Sequence, residues 1–206
     1  MTVEAQTLAK MPASTLIAGV DEVGRGALFG PVVAAAVVIA VADLGQLTAI
    51  AGKDSKQLSA KRREALASEI KAVVADVRIG YATVQEIDEM NILQATLQAM
   101  RRAVGKLTPQ PGLCFVDGRQ QIPELDIPQI ALTQGDARSR TIAAASIMAK
   151  VWRDDLMVRL WDPQYPEYQL AANKGYGTSA HRYALQTYGP SPQHRLSFRP
   201  CRQSTP

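Results

Sequence analysis

The stretch LIAGVDEVGRGALFGPVVAAAVVIA, Leu16–Ala40, decides how the rest of the chain is read. Two apolar runs rich in Val, Ile and Ala flank an interruption. It holds the adjacent carboxylates Asp21 and Glu22, the glycines Gly24, Gly26 and Gly30, and one cation, Arg25. Runs of this composition are buried strands, and the glycine-rich segment between them reads as a hairpin turn. A chain building only a core would not place charge there. The segment lacks the Lys-Ser/Thr ending of a phosphate-binding P-loop and the spacing of a dinucleotide fingerprint. Positive φ in a tight turn accounts for one or two of the glycines. The rest leave N–H and C=O groups unshielded beside the acids, which suits close reading of a sugar–phosphate edge.

Working outward, residues 15–21 and 31–41 are the two strands. Ser59 is an N-cap for a helix carrying Leu66, Ile70, Val73 and Val77. VRIGYATV is a further strand. Ile87, Met90, Leu93, Leu97, Met100, Val104 and Leu107 form one continuous helical stripe. GLCFVDG and IPQIALT read as strands, TIAAASIMAKVWRDDLMVRLW as a long helix ended by Pro163, and a short helix opens near Thr178. Residues 1–13 read as a flexible N-terminal arm, 14–199 as one domain and 200–206 as a solvated tail. The alternation predicts an α/β fold: a mixed central sheet flanked by helices, with a small C-terminal helical and irregular segment.

Composition sets the bounds. A chain of 206 residues, 47% apolar and 20% charged, is an ordinary folded protein and not a disordered one. The net charge of +4, from 23 basic and 19 acidic residues, permits a polyanionic partner without demanding one. Cys114 sits in the apolar run LCFV and Cys201 in the polar tail, so neither a disulfide nor a zinc site is expected and the compartment reads as reducing. No signal peptide is visible, and the apolar run 31–42 is too short to span a bilayer. The expectation is a cytoplasmic protein without a membrane partner.

Four carboxylates stand where apolar segments end: Asp21 and Glu22, Asp117 after LCFV, and Asp136 after IALTQG. Asp beside Gly is ordinarily a turn former. The repetition matters more, because open α/β sheets bind ligands at the carboxyl ends of their strands. Crowded carboxylates repel unless a cation neutralises them, and with no His/Cys cluster that cation is a hard one, Mg²⁺ or Mn²⁺. Successive strand residues point to opposite faces. Asp21 and Glu22 therefore reach one ion only if the strand bends or one of them ligates through its carbonyl. His181 and His194 read as structural or surface residues, and no covalent nucleophile is evident.

The segments AGVDEVGRG, GPVVAAAVV, KDSKQLS, EIDEMNIL, FVDG, QGD, AAASIMAKVWRD and NKGYGT together resemble bacterial ribonuclease HII, from about Leu16 to Phe198. The resemblance implies a ribonuclease H-like fold. It also implies a metal-dependent endonuclease that hydrolyses the RNA strand of RNA–DNA hybrids. Such an enzyme incises on the 5′ side of ribonucleotides embedded in duplex DNA, leaving 5′-phosphate and 3′-hydroxyl ends. Carried over, the catalytic and metal-holding acids of a two-metal site fall on Asp21, Glu22, Asp117 and Asp136. The backbone that contacts the ribose 2′-OH falls on Gly24, Arg25 and Gly26, and the junction-sensing tyrosine on Tyr176.

Ser146 and Lys150, at i and i+4 on one helix face, are added as substrate contacts together with Lys56. Lys53, Arg138, Lys174 and Arg195 are further candidates to grip phosphates. Two positions depart from the family pattern: Ala27 stands where proline is usual, and Asn173 where histidine is. A monomer is expected, its partners being RNA–DNA hybrid and ribonucleotide-containing duplex DNA. Ribonuclease HIII, a rival reading, carries an additional N-terminal domain for which the residues before the first strand are too few. A non-catalytic binding module would not need all four acids.

Overall fold

The computed structural model describes residues 3–51 and 59–202. Lys53 and Lys56 lie outside them. Among the described residues five strands form one mixed sheet: β1 (Leu16–Val23), β2 (Val32–Ala40), β3 (Asp76–Ala82), β4 (Leu113–Asp117) and β5 (Gln129–Leu132), in the order β3-β2-β1-β4-β5. The β1–β2 and β2–β3 pairs are antiparallel, whereas β1–β4 and β4–β5 are parallel. The helices are α1 (Val3–Leu8), α2 (Leu44–Ala51), α3 (Ala60–Val73), α4 (Val84–Met90), α5 (Ile92–Gly105), α6 (Gly135–Arg138), α7 (Arg140–Leu156), α8 (Asp162–Gln164), α9 (Leu170–Asn173) and α10 (Ser179–Tyr188). This is the expected α/β architecture.

Strand alternation sends side chains into two cores. Ile17, Val37, Ile39 and Phe115 pack with α3 and α7 on one face; Val20, Val38, Cys114 and Val116 pack with α5 on the other. On the first face α7 lies almost on the backbone of β1. A Cβ at Gly19 would stand 2.2 Å from the Thr141 carbonyl carbon, so only glycine admits this approach.

Several expectations need correcting. The stripe from Ile87 to Leu107 is two helices, not one. Asn91 adopts φ +74° between them, and its side chain accepts from the N–H groups of Leu93 and Gln94, ending α4 and opening α5. The helix begun at Ser59 ends at Val73, and Val77 belongs to β3 opposite Val37. The long helix runs from α7 through a π-helical turn, Met157–Trp161, into α8 and ends at Gln164, one residue past Pro163.

Nor is the N-terminal arm loose. Glu4 is buried, and its carboxylate accepts from the Ser139 hydroxyl (2.7 Å), the Arg140 N–H (2.6 Å) and the Thr141 hydroxyl (2.7 Å) at the start of α7. Leu8 enters the core. At the other end Cys201, expected in a solvated tail, is buried in the 3-10 turn Arg199–Cys201.

The glycine-rich segment after β1 is not a tight hairpin either. The N–H groups of Leu28 and Gly30 donate to the carbonyls of Gly175 and Gln193, both at 2.8 Å, and Arg195 N–H donates to the Leu28 carbonyl at 2.9 Å. Leu28 and Phe29 then share a third core with Met157, Tyr168, Leu170 and Leu185. The C-terminal segment is thereby laid directly over the turn.

Candidate active site

The parallel ladder of β1 and β4 ends at Val20 and Val116, so Asp21 and Asp117 are the next residues of neighbouring strands. One carboxylate oxygen from each of Asp21, Glu22 and Asp117 lies within 4.8 Å of the other two. Pairing of β1 with β2 stays regular through Val23, so no bulge brings the acids together. Asp21 points to the α7 side, where the Ser146 hydroxyl works against the larger effect of burial on its pKa. Glu22 lines a groove of about 480 Å³ on the α5 side with Leu93 and Leu97. The two acids straddle the end of the strand, and their side chains still converge on Asp117.

Each acid is held in place. Asp21 accepts from the Glu22 N–H and Asp117 from the Gly135 N–H, both at 2.7 Å. Asp136, in the first turn of α6, lines the same cleft of about 530 Å³ as the other three acids, Ser146, Lys150 and Tyr176, without joining the triangle of oxygens. Burial, reinforced by the charges of Glu22 and Asp117, pushes the Asp21 carboxyl well above the usual carboxylate range. Burial also raises Glu22, with Asp117 adding to the shift and Arg25 opposing it. A partly buried set of hard oxygen donors, crowded enough to raise the pKa of Asp21 and Glu22, fits a divalent cation.

The residues expected beside the acids are disposed unevenly. Arg25 is half exposed and its guanidinium reaches the Glu22 carboxylate at 3.2 Å. Gly24 adopts φ +88°, and a Cβ there would meet the Arg153 side chain at 2.3 Å; at Gly26 a Cβ would meet no atom within 4 Å. Tyr176 pairs with Ala27 through an isolated bridge, and the Lys150 ammonium lies 5.8 Å from its ring. That ammonium is already paired with Asp154 at 2.7 Å. Arg138 is exposed and donates to the Thr133 carbonyl. Lys174 donates to the Ala171 carbonyl. Arg195 is fully buried and donates to the carbonyls of Gly30 and Arg25, both at 2.9 Å, so it braces the turn and is not a surface phosphate grip.

Sequence reasoning missed three residues. Arg63 of α3 and Gln134 before α6 line the cleft. The first reads as an ordinary helix cation, and only the left-handed φ of +55° at Gln134 marks the second. The third, Arg153, stands in the quoted motif AKVWRD but had no role. It is fully buried and donates to the carbonyls of Lys174 (2.8 Å), Phe29 (3.0 Å) and Pro31 (3.2 Å), with Tyr176 5.5 Å above it. It ties the glycine turn to the loop of Tyr176.

Both departures from the family pattern have structural work. The Ala27 N–H donates to the Gly24 carbonyl at 3.2 Å, which a proline could not do. Asn173 donates to the Tyr168 carbonyl (2.6 Å) and accepts from the Gly175 N–H (2.7 Å), closing the loop that carries Tyr176. His181 and His194 are structural, as one of the two readings had it: both are buried, their Nε2 atoms 3.0 Å apart.

Comparison with known proteins agrees with this geometry. The family model for ribonuclease HII matches residues 18–201. Ribonuclease HII of Trichormus variabilis is 59% identical over 191 residues, covering 93% of this chain and 84% of that protein. The enzyme of Acaryochloris marina is 58% identical over 192 residues, covering 93% and 96%. The crystal structure of ribonuclease H2 from Pyrococcus horikoshii superposes with a TM-score of 0.77 at 30% identity, over 91% of this chain and 96% of that one. A ribonuclease HIII solved with Mn²⁺ shares the fold at a TM-score of 0.73 and 18% identity. With a ribonuclease H-like sheet, the acids gathered at its strand ends and this degree of identity along nearly its whole length, the chain belongs to the ribonuclease HII family.

Proposed function

We propose that the cleft hydrolyses the RNA strand of RNA–DNA hybrids and incises on the 5′ side of single ribonucleotides embedded in duplex DNA. Endonucleolytic phosphodiester hydrolysis is the activity of the family. The observation that carries it is the convergence of Asp21, Glu22 and Asp117 within 4.8 Å.

Asp21, Glu22, Asp117 and Asp136 would hold two Mg²⁺ or Mn²⁺ ions. When bound, such ions neutralise the carboxylates, lower the pKa of the attacking water and stabilise the leaving 3′ oxygen. Ser146 fixes the orientation of Asp21. Arg25 offsets part of the Glu22 charge, and its backbone, with that of Gly24 and Gly26, approaches the ribose 2′-OH. That hydroxyl is what distinguishes RNA from DNA at a given site. Tyr176 meets the neighbouring sugar, where a deoxyribose fits and a 2′-hydroxyl is crowded. The products carry 5′-phosphate and 3′-hydroxyl ends.

The test is kcat/KM on a duplex with one ribonucleotide and on a continuous hybrid, with and without EDTA. Chelation should abolish both activities. Tyr176→Ala should damage incision at the single ribonucleotide more than cleavage of the hybrid. Equal losses would remove the junction-reading role.

A further inference from the structure

We propose that His181 and His194 are positioning residues for Tyr176: a chain of hydrogen bonds through both imidazoles holds the Tyr176 backbone, and the chain is complete only while both rings are neutral. The proposal rests on the junction-reading role of Tyr176 given above.

The direction of the chain is forced at both ends. At one end the Ser191 N–H lies 3.0 Å from His194 Nδ1 and can only donate, so that nitrogen accepts and the His194 proton sits on Nε2. The Ser191 hydroxyl stands 2.9 Å from the same Nδ1. At the other end His181 Nδ1 lies 3.0 Å from the Tyr176 carbonyl, which can only accept, so His181 carries its proton on Nδ1. The Nε2 atoms, 3.0 Å apart, then meet as donor (His194) and acceptor (His181). In the neutral rings every nitrogen is engaged, His194 Nδ1 by the Ser191 N–H with the Ser191 hydroxyl also beside it. A further proton on His181 Nε2 would face the His194 Nε2–H, and one on His194 Nδ1 would face the Ser191 N–H. The first position offers no acceptor; at the second only the Ser191 hydroxyl oxygen could accept, and the Ser191 N–H bond would be lost.

The surroundings do not favour a charge. The Tyr168 ring lies against both imidazoles, at 5.8 and 4.5 Å between centroids, and its hydroxyl is spent on the Gly189 carbonyl. The Phe29 ring meets His194 edge-on at 5.0 Å. Arg153 and Arg195 brace the same turn, and Lys174, Arg182 and Cys201 lie on the flanking segments. The Asp88 carboxylate is engaged by the N–H groups of Leu196 and Ser197. Burial lowers the pKa of both histidines. Because Tyr176 pairs with Ala27 and His194 with Phe29, the imidazole chain joins the tyrosine loop to the glycine turn.

The experiment has two arms on the full chain. In the first, imidazole ¹H–¹⁵N correlation spectra of the wild type at neutral pH should show His181 as the Nδ1–H tautomer and His194 as the Nε2–H tautomer. The reverse assignment, or a charged ring, would overturn the proposal, and this arm needs no variant to fold. In the second, His181→Phe keeps the ring volume and loses both hydrogen bonds. The ratio of kcat/KM for a single embedded ribonucleotide to that for continuous hybrid should fall about tenfold, as a small misplacement of a positioning group implies. His181→Asn, whose amide nitrogen overlays Nδ1, should recover most of the ratio. An unchanged ratio for His181→Phe, while Tyr176→Ala lowers it, overturns the positioning role alone. An unchanged ratio for Tyr176→Ala overturns the reading on which it rests.

Discussion

Asp21 and Asp117 stand side by side one residue past Val20 and Val116, the last paired positions of the parallel β1–β4 ladder. The ladder that builds the core thus delivers two carboxylates to one point, and Glu22 adds a third. Replacing Asp117 or Asp21 by Asn should lower Mg²⁺-dependent cleavage by more than about 100-fold, since metal-held charge contributes several kcal/mol. Substantial cleavage by the Asp117→Asn protein would refute the assignment.

The same crowding has a thermodynamic sign. The raised pKa of Asp21 means that the folded state holds its proton more tightly than the unfolded chain. Stability therefore falls as pH rises from the ordinary carboxylate value through the raised one. Thermal melts in EDTA should show Asp21→Asn at or above the wild-type Tm at pH 7, with the gap closing in acid. A lower Tm throughout would contradict this.

Gly24 and Gly26 separate conformation from contact. Gly24→Ala meets a φ of +88° and the Arg153 side chain at 2.3 Å, and should cost about 1–3 kcal/mol in denaturant unfolding. Gly26→Ala meets no atom within 4 Å and should stay within about 0.5 kcal/mol of wild type. It should nevertheless lose kcat/KM on both substrates, because its Cβ stands where the ribose approaches.

Glu4 links the N-terminus to α7. Glu4→Ala would take the acceptor from the Arg140 N–H and leave the Ser139 and Thr141 hydroxyls without their shared carboxylate, and should destabilise the protein by about 1–3 kcal/mol. Urea unfolding would show it. An unchanged midpoint would return residues 1–13 to a dispensable arm.

Lys150 lines the cleft but is paired with Asp154. If it exchanges that partner for a phosphate, Lys150→Ala should shallow the log–log salt dependence of duplex binding by about one unit or less. An unchanged slope would leave it a structural ion pair.

His194 supplies an acid-side signature. Burial, with the charge of His181 adding to it, lowers its pKa from the usual 6.5 to about 3. The unfolded chain binds the proton more readily, so the stabilisation is complete above the ordinary histidine value and is lost as pH falls towards the folded one. The urea midpoint should decline across that window, and His194→Asn should flatten the decline.

Much of this protein was legible in its residues. Runs rich in β-branched residues, the cap at Ser59, the helix start near Thr178 and the placement of acids after strands are local signals. They predicted the mixed sheet and brought Asp21, Glu22, Asp117 and Asp136 onto one short list before any geometry was known. The break at Asn91 was hidden because the apolar stripe continues across it, and helical periodicity does not register a single left-handed residue. Glu4, Arg153 and the histidine pair were hidden for a different reason. Each acts on partners more than ten residues away, up to 137 for Glu4 and Thr141, and a buried polar side chain looks like a surface one until its partners are seen. Whether Asp21 and Glu22 could serve one site was left open by strand alternation, which is a statement about Cβ directions. Only the folded chain decided it, because the end of β1 leaves room for two side chains from opposite faces to meet beside Asp117.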